Sequence, residues 1–171
     1  MQSEKFKGSH ETTLKIAGCA VIGILAILVE NKGFTINAVY GIVLGLFGLL
    51  FFFVNDFLTY TLIEYGEVLK NRFGLGYSYS LPVGKITRID RGAVFKLKHW
   101  GSRLEIWYLD DNGKEAVHTI QESAYSGETI KKLITRLKEL NPCIKLDPQY
   151  QDLIDGKIDP KKFKKIDPTV R

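Results

Sequence analysis

Few residues in this chain could do chemistry, and none is grouped as chemistry requires. The histidines are His10, His99 and His118. They are far apart, without HxxxH or HExxH spacing, and a zinc site needs three or four convergent ligands. Adjacent strands could bring His99 near His118, but two histidines alone read as surface or half-buried residues. Asp110-Asp111-Asn112-Gly113 opens like a calcium loop but lacks the later bidentate glutamate, and a hairpin turn explains it fully. Gly74-Leu75-Gly76 lacks the third glycine and the following helix of a dinucleotide loop. Of the two cysteines, Cys19 sits in an apolar run and Cys143 far down the polar part, so neither a disulfide nor a metal cluster is expected. No serine, cysteine or lysine nucleophile has a recognisable setting. The expectation is a non-enzyme with no catalytic residue, no metal and no cofactor.

Binding residues are easier to nominate. Lys161, Lys162, Lys164 and Lys165 surround Phe163, with Lys157 just before them. This pattern suits an anionic membrane surface or an acidic partner; the competing reading is a solvated, loosely ordered tail. Trp100 and Trp107 flank one turn. They read as core or rim residues of a sheet, or, if exposed, as a partner-binding surface.

The elements that must carry these residues fall into two kinds. Residues 34–54 are uncharged, and at ~1.5 Å per helical residue they reach ~30 Å, the thickness of a bilayer's hydrocarbon core. A second apolar stretch covers 14–29, extended by Lys15 and Glu30. Glu30-Asn31-Lys32-Gly33 leaves room only for a tight antiparallel hairpin. The reading is a two-helix transmembrane hairpin over 14–55 after an N-terminal segment 1–13, in which Phe6 dips into the headgroups. A cleaved signal peptide is the rival reading of the start. Lysine and arginine on both flanks put both termini in the cytoplasm. Gly41, Gly45 and Gly48 share one face of the second helix. They pack against the first helix, which carries Gly18 and Gly23, or else form a dimer contact.

From residue 57 the hydrophobic period changes to two. Strands are expected over 57–64, 67–73, 77–82, 84–90, 93–100, 103–109 and 115–120, with Leu104, Ile106 and Tyr108 on one face of the sixth. One amphipathic helix follows, capped by Ser126 and ended by Asn141-Pro142, with Ile130, Leu133, Ile134, Leu137 and Leu140 as its apolar stripe. It closes a small bent sheet. The basic tail 143–171 repeats Lys-aliphatic-Asp-Pro at 145–148, 157–160 and 165–168. Asp before Pro marks a helix start, so 149–155 is a short helix candidate.

Two spans, seven antiparallel strands and a capping helix resemble the bacterial pleckstrin-homology-like (PH-like) membrane proteins. The resemblance rests on the double span at 14–54, the immediate entry into strand 57–64, LPVGKITRID at 81–90 and TIKKLITRLKELNP at 129–142. It implies a membrane α-helical hairpin plus an α+β, PH-like seven-stranded barrel or sandwich over 56–142, capped by one C-terminal helix. It also implies a multi-pass protein of the bacterial inner membrane, presenting that domain at the cytoplasmic face as a non-enzymatic scaffold. Expected partners are anionic inner-leaflet lipid, a protein of unknown identity and a second copy of the chain, with no nucleic acid. Two alternatives are an immunity protein against a toxin or bacteriocin, and a subunit of an oligomeric channel or transport complex.

Overall fold

The computed structural model describes residues 3–8, 11–30, 36–64, 66–74, 77–93 and 102–168 of the 171-residue chain. The described elements, in order, are β1 (Glu4–Lys7), α1 (Glu11–Glu30), α2 (Ile36–Phe57), β2 (Tyr60–Glu64), β3 (Val68–Phe73), β4 (Tyr77–Pro82) and β5 (Ile86–Ala93). They continue as β6 (Ser102–Leu109), β7 (Glu115–Gln121), α3 (Gly127–Leu140), β8 (Lys145–Leu146), α4 (Pro148–Ile154) and α5 (Pro160–Phe163). Short 3-10 turns join β4 to β5 and β7 to α3.

The strands form two four-stranded sheets, β1-β2-β3-β4 and β7-β6-β5-β8. The first is antiparallel throughout. In the second, β8 runs parallel to β5, pairing Arg88 with Lys145 and Ile89 with Leu146. Most strands follow the sequence alternation, while β5 breaks it with a register shift between Ile86 and Arg88. Ser102, Leu104 and Ile106 of β6 point inward while Arg103 and Glu105 are half-buried between them. The Asp110–Gly113 segment is a hairpin turn, as its residue types demand. Gly113 has φ +74°, and the Asp110 carboxylate accepts from the backbone N–H of Asn112 and Lys114, both at 2.8 Å.

A single core lies between the sheets and under α3. Phe6, Ile63, Leu69 and Leu81 come from the first sheet and Ile89, Leu104, Ile106 and Ile120 from the second. Ile130, Leu133, Ile134 and Leu137 are the buried stripe of α3. Ile144, Tyr150, Leu153 and Phe163 come from the C-terminal segment. Ser126 caps α3 by accepting from Thr129 N at 3.1 Å, as expected.

Several expectations are corrected. The eight strands make two sheets and no closed barrel, so the PH-like seven-stranded barrel with a transmembrane hairpin is not this fold. One reason is β1, which pairs Phe6 with Thr61 of β2. Phe6 is buried in the core and not in headgroups, and the helix pair is an insertion between two paired strands. A second reason is β8, whose parallel pairing brings the tail into the second sheet.

Among the described residues no helix is long and apolar enough to cross a membrane. The reading as a multi-pass inner-membrane protein with transmembrane helices is therefore corrected. Apart from Ala93, the strand expected over 93–100 lies outside the described residues. His10, His99, Trp100 and the loop residues Asn31, Lys32 and Gly33 lie outside them as well.

Candidate functional site

The C-terminal segment is an ordered cap, and the residues that hold it were not visible as a group in the sequence. Its two short helices start where the Asp-Pro phrases put them. Asp147 caps α4 by accepting from Gln149 N at 2.9 Å, and Asp159 caps α5 by accepting from Lys161 N at 2.9 Å. Asp147 N also donates to Ile89 O at 2.9 Å, which stitches the segment to β5.

Beneath the cap lies a buried polar hub centred on Arg91 of β5. Its Nε donates to both carboxylate oxygens of Glu122 at 3.1 Å. Its Nη1 donates to Gln149 Oε1 at 2.6 Å and to Ile166 O at 3.1 Å. Its Nη2 donates to Ser102 Oγ and Phe163 O, both at 3.2 Å. The guanidinium plane also stacks on Phe163, with Cζ 4.0 Å from the ring centroid. Glu122 accepts further from Ser102 and from Tyr150 Oη, the latter at 2.5 Å. Gln149 Nε2 reaches Asp167 O at 2.9 Å. The Arg91 side chain is 0 % exposed and that of Glu122 1 %, so both charges depend on each other and on these hydrogen bonds. Burial and the neighbouring Glu122 carboxylate hold the Tyr150 phenol well above its ordinary value, so it stays a donor.

The hub fixes where the tail lysines sit. Phe163 lies fully in the core, so it leaves the surface set. Lys161, Lys162, Lys164 and Lys165 stay exposed around it. Lys164 Nζ donates to Ser123 O at 3.2 Å. Lys157 stands apart, paired with Asp152 at 2.9 Å and Asp155 at 3.4 Å, and those carboxylates raise its pKa. No ion pair among the described residues holds Lys161, Lys162 or Lys165. α5 sits against the start of α3 so closely that a Cβ on Gly127 would fall 1.9 Å from Pro160 O. The positive end of the α3 dipole thus adds to the same side.

Other nominated residues are scattered. Trp107 is half-buried on β6, with Arg88 Cζ 4.6 Å from its ring centroid, and offers no broad aromatic surface by itself. His118 of β7 is buried and stacks on Tyr79 of β4, centroids 4.0 Å apart and 9° from parallel. Tyr79 also meets Tyr108 of β6, so these rings join the two sheets. Burial lowers the His118 pKa to about 4. Asp111 is ion-paired with Lys85 at 2.5 Å, and that lysine lowers its pKa. Among the described residues no group of three or more His, Cys, Asp or Glu is arranged to hold a metal ion. Of the helix-packing glycines, Gly45 faces Ile24 of α1, where a Cβ would lie in ordinary contact at 3.5 Å. Gly41 is half-buried on α2, and a Cβ at Gly18, Gly23 or Gly48 would meet nothing within 4 Å. An open groove of about 320 Å³ between β1 and α3 is lined by charges of both signs. Arg136 there already pairs with Glu4 at 3.2 Å and with Glu139 at 2.9 Å.

No family model matches the chain, and no curated protein or solved structure matches it either. The resemblance to PH-like membrane proteins is therefore withdrawn. It has no support outside the chain, and β1, β8 and the inserted helix pair all depart from it.

Proposed function

We propose that this chain is a non-enzymatic interaction module that offers the lysine face of its C-terminal cap to an acidic segment of a protein partner. The observation that carries this reading is the Arg91 hub. A buried guanidinium binds the Phe163 and Ile166 carbonyls and so holds Lys161, Lys162 and Lys165 in a fixed arrangement. A solvated tail would lose ordering entropy on binding, whereas a pre-organised face avoids that cost. The excess of Lys and Arg over Asp and Glu, formally +5, favours encounter with an acidic surface.

The test is fluorescence anisotropy with a Glu/Asp-rich peptide and a neutral peptide of equal length. Binding that weakens with salt and is lost in Lys161→Glu/Lys162→Glu/Lys165→Glu supports the reading. Equal binding of both peptides, an unaffected triple variant, or binding to anionic vesicles alone refutes it.

A further inference from the structure

The outward face of the first sheet gathers cations from strands far apart in the chain. β1 and β3 flank β2 there. Lys7 stands opposite Tyr60 and Tyr60 opposite Arg72; in the next row Lys5 stands opposite Leu62 and Leu62 opposite Lys70. Their neighbours Phe6, Thr61 and Asn71 are buried, so the alternation turns these six side chains away from the core. Lys5 and Lys7 are exposed, and the Lys70 side chain is 42 % exposed. Lys5 Nζ lies 3.9 Å from the Tyr60 ring centroid. Arg72 is steadied by donating from Nε to Gly74 O at 3.2 Å. Among the described residues, the one carboxylate at an outward strand position of this sheet is Glu64, and Lys70 neutralises it at 2.5 Å.

We propose that this face binds single-stranded nucleic acid, with a base stacked on Tyr60 and backbone phosphates on Lys5, Lys7, Lys70 and Arg72. Three features favour that occupant. The charge is complementary, four cations against one carboxylate that is already paired. Cations at alternate positions of one strand stand about 6.8 Å apart, and the β1 and β3 pairs lie about 10 Å apart across β2, so successive phosphates of an extended strand can follow either pair. The aromatic ring lies on the strand between the cations, where it can take any base, because every base has a π-face. An incoming base replaces the Lys5 ammonium on the Tyr60 ring and frees that ammonium for a phosphate. An acidic peptide would leave the ring unused. A lipid surface rewards protruding apolar side chains, whereas Tyr60 and Leu62 are half-buried between the cations. The sequence reading expects no nucleic acid; these cations meet only because β1 pairs with β2 across the inserted helices. The inference goes beyond the acidic-partner reading and does not rest on it, because that lysine face lies in the C-terminal cap and this one on the first sheet.

The experiment is fluorescence anisotropy of the full chain with a labelled oligodeoxythymidylate of about 12 nucleotides, within the site sizes of single-strand binders. Binding at micromolar concentration is expected, with a slope of log affinity against log salt of about −3 for four phosphate contacts. Lys5→Gln/Lys7→Gln weakens binding about tenfold and flattens that slope. Tyr60→Leu, which keeps an apolar side chain on the strand, weakens it about tenfold and leaves the slope unchanged. Lys161→Gln/Lys162→Gln/Lys165→Gln, in the cap, keeps the affinity within about threefold, because those lysines make none of the four phosphate contacts. No binding, binding unaffected by both sheet variants, or an equal loss in the cap variant overturns the proposal. So does equal affinity for a polyglutamate peptide of the same charge, for a duplex of the same length or for phosphatidylserine vesicles.

Discussion

Replacing Arg91 by leucine tests whether the hub holds the C-terminal cap. The substitution removes every donor that Arg91 gives to Glu122, Gln149, Ser102 and the Phe163 and Ile166 carbonyls. It leaves Glu122 as a buried charge with only Ser102 and Tyr150 to answer it. Breaking one side of a buried pair costs about 3–5 kcal/mol, a large share of a typical ~5–15 kcal/mol total. The double change Arg91→Leu/Glu122→Leu removes both charges and recovers a substantial part of that loss, since burying no charge is cheaper than burying one unpaired. The cap does not recover in the double variant, because its carbonyl partners remain lost. Urea unfolding measures the first effect and amide hydrogen exchange over residues 144–168 the second. An Arg91→Leu loss below about 1 kcal/mol, or unchanged exchange protection in the cap, would refute the reasoning.

Two further outcomes follow from the packing. His118 has its folded pKa lowered from 6.5 to about 4, so the unfolded chain takes up a proton that the folded chain refuses. Stability is therefore full above about pH 6.5 and lost as pH falls toward 4, by on the order of 2–3 kcal/mol. His118→Phe flattens that part of the urea-midpoint-versus-pH curve while Tyr79 keeps a ring to stack on. Gly127→Ala drives a Cβ into Pro160 O and pushes α5 off α3, a loss of about 1–3 kcal/mol in thermal unfolding that a larger residue increases.

What the sequence by itself determined was local. Period-two alternation placed β2, β3, β4, β5, β6 and β7 within a few residues, and the 3.6 period with Ser126 placed α3. Asp before Pro placed the start of α4, because cap chemistry needs only neighbouring residues, and Asp159 before Pro160 caps α5 in the same way although no helix was expected there. What only the tertiary structure decided was non-local. β1 belongs to a sheet because its partner β2 lies beyond two helices, and four residues of EKFK carry no signal of that pairing. Uncharged residues in 34–54 read as a membrane span because a hydropathy run does not say what surrounds it. Arg91 had one available clue, since it shares the inward parity of Ile89. Its partners come from β6, a 3-10 turn, α4 and the end of α5, and a buried charge is interpretable only once those are assembled. The tail therefore read as solvated lysine, although Phe163 and Tyr150 at its centre belong to the core.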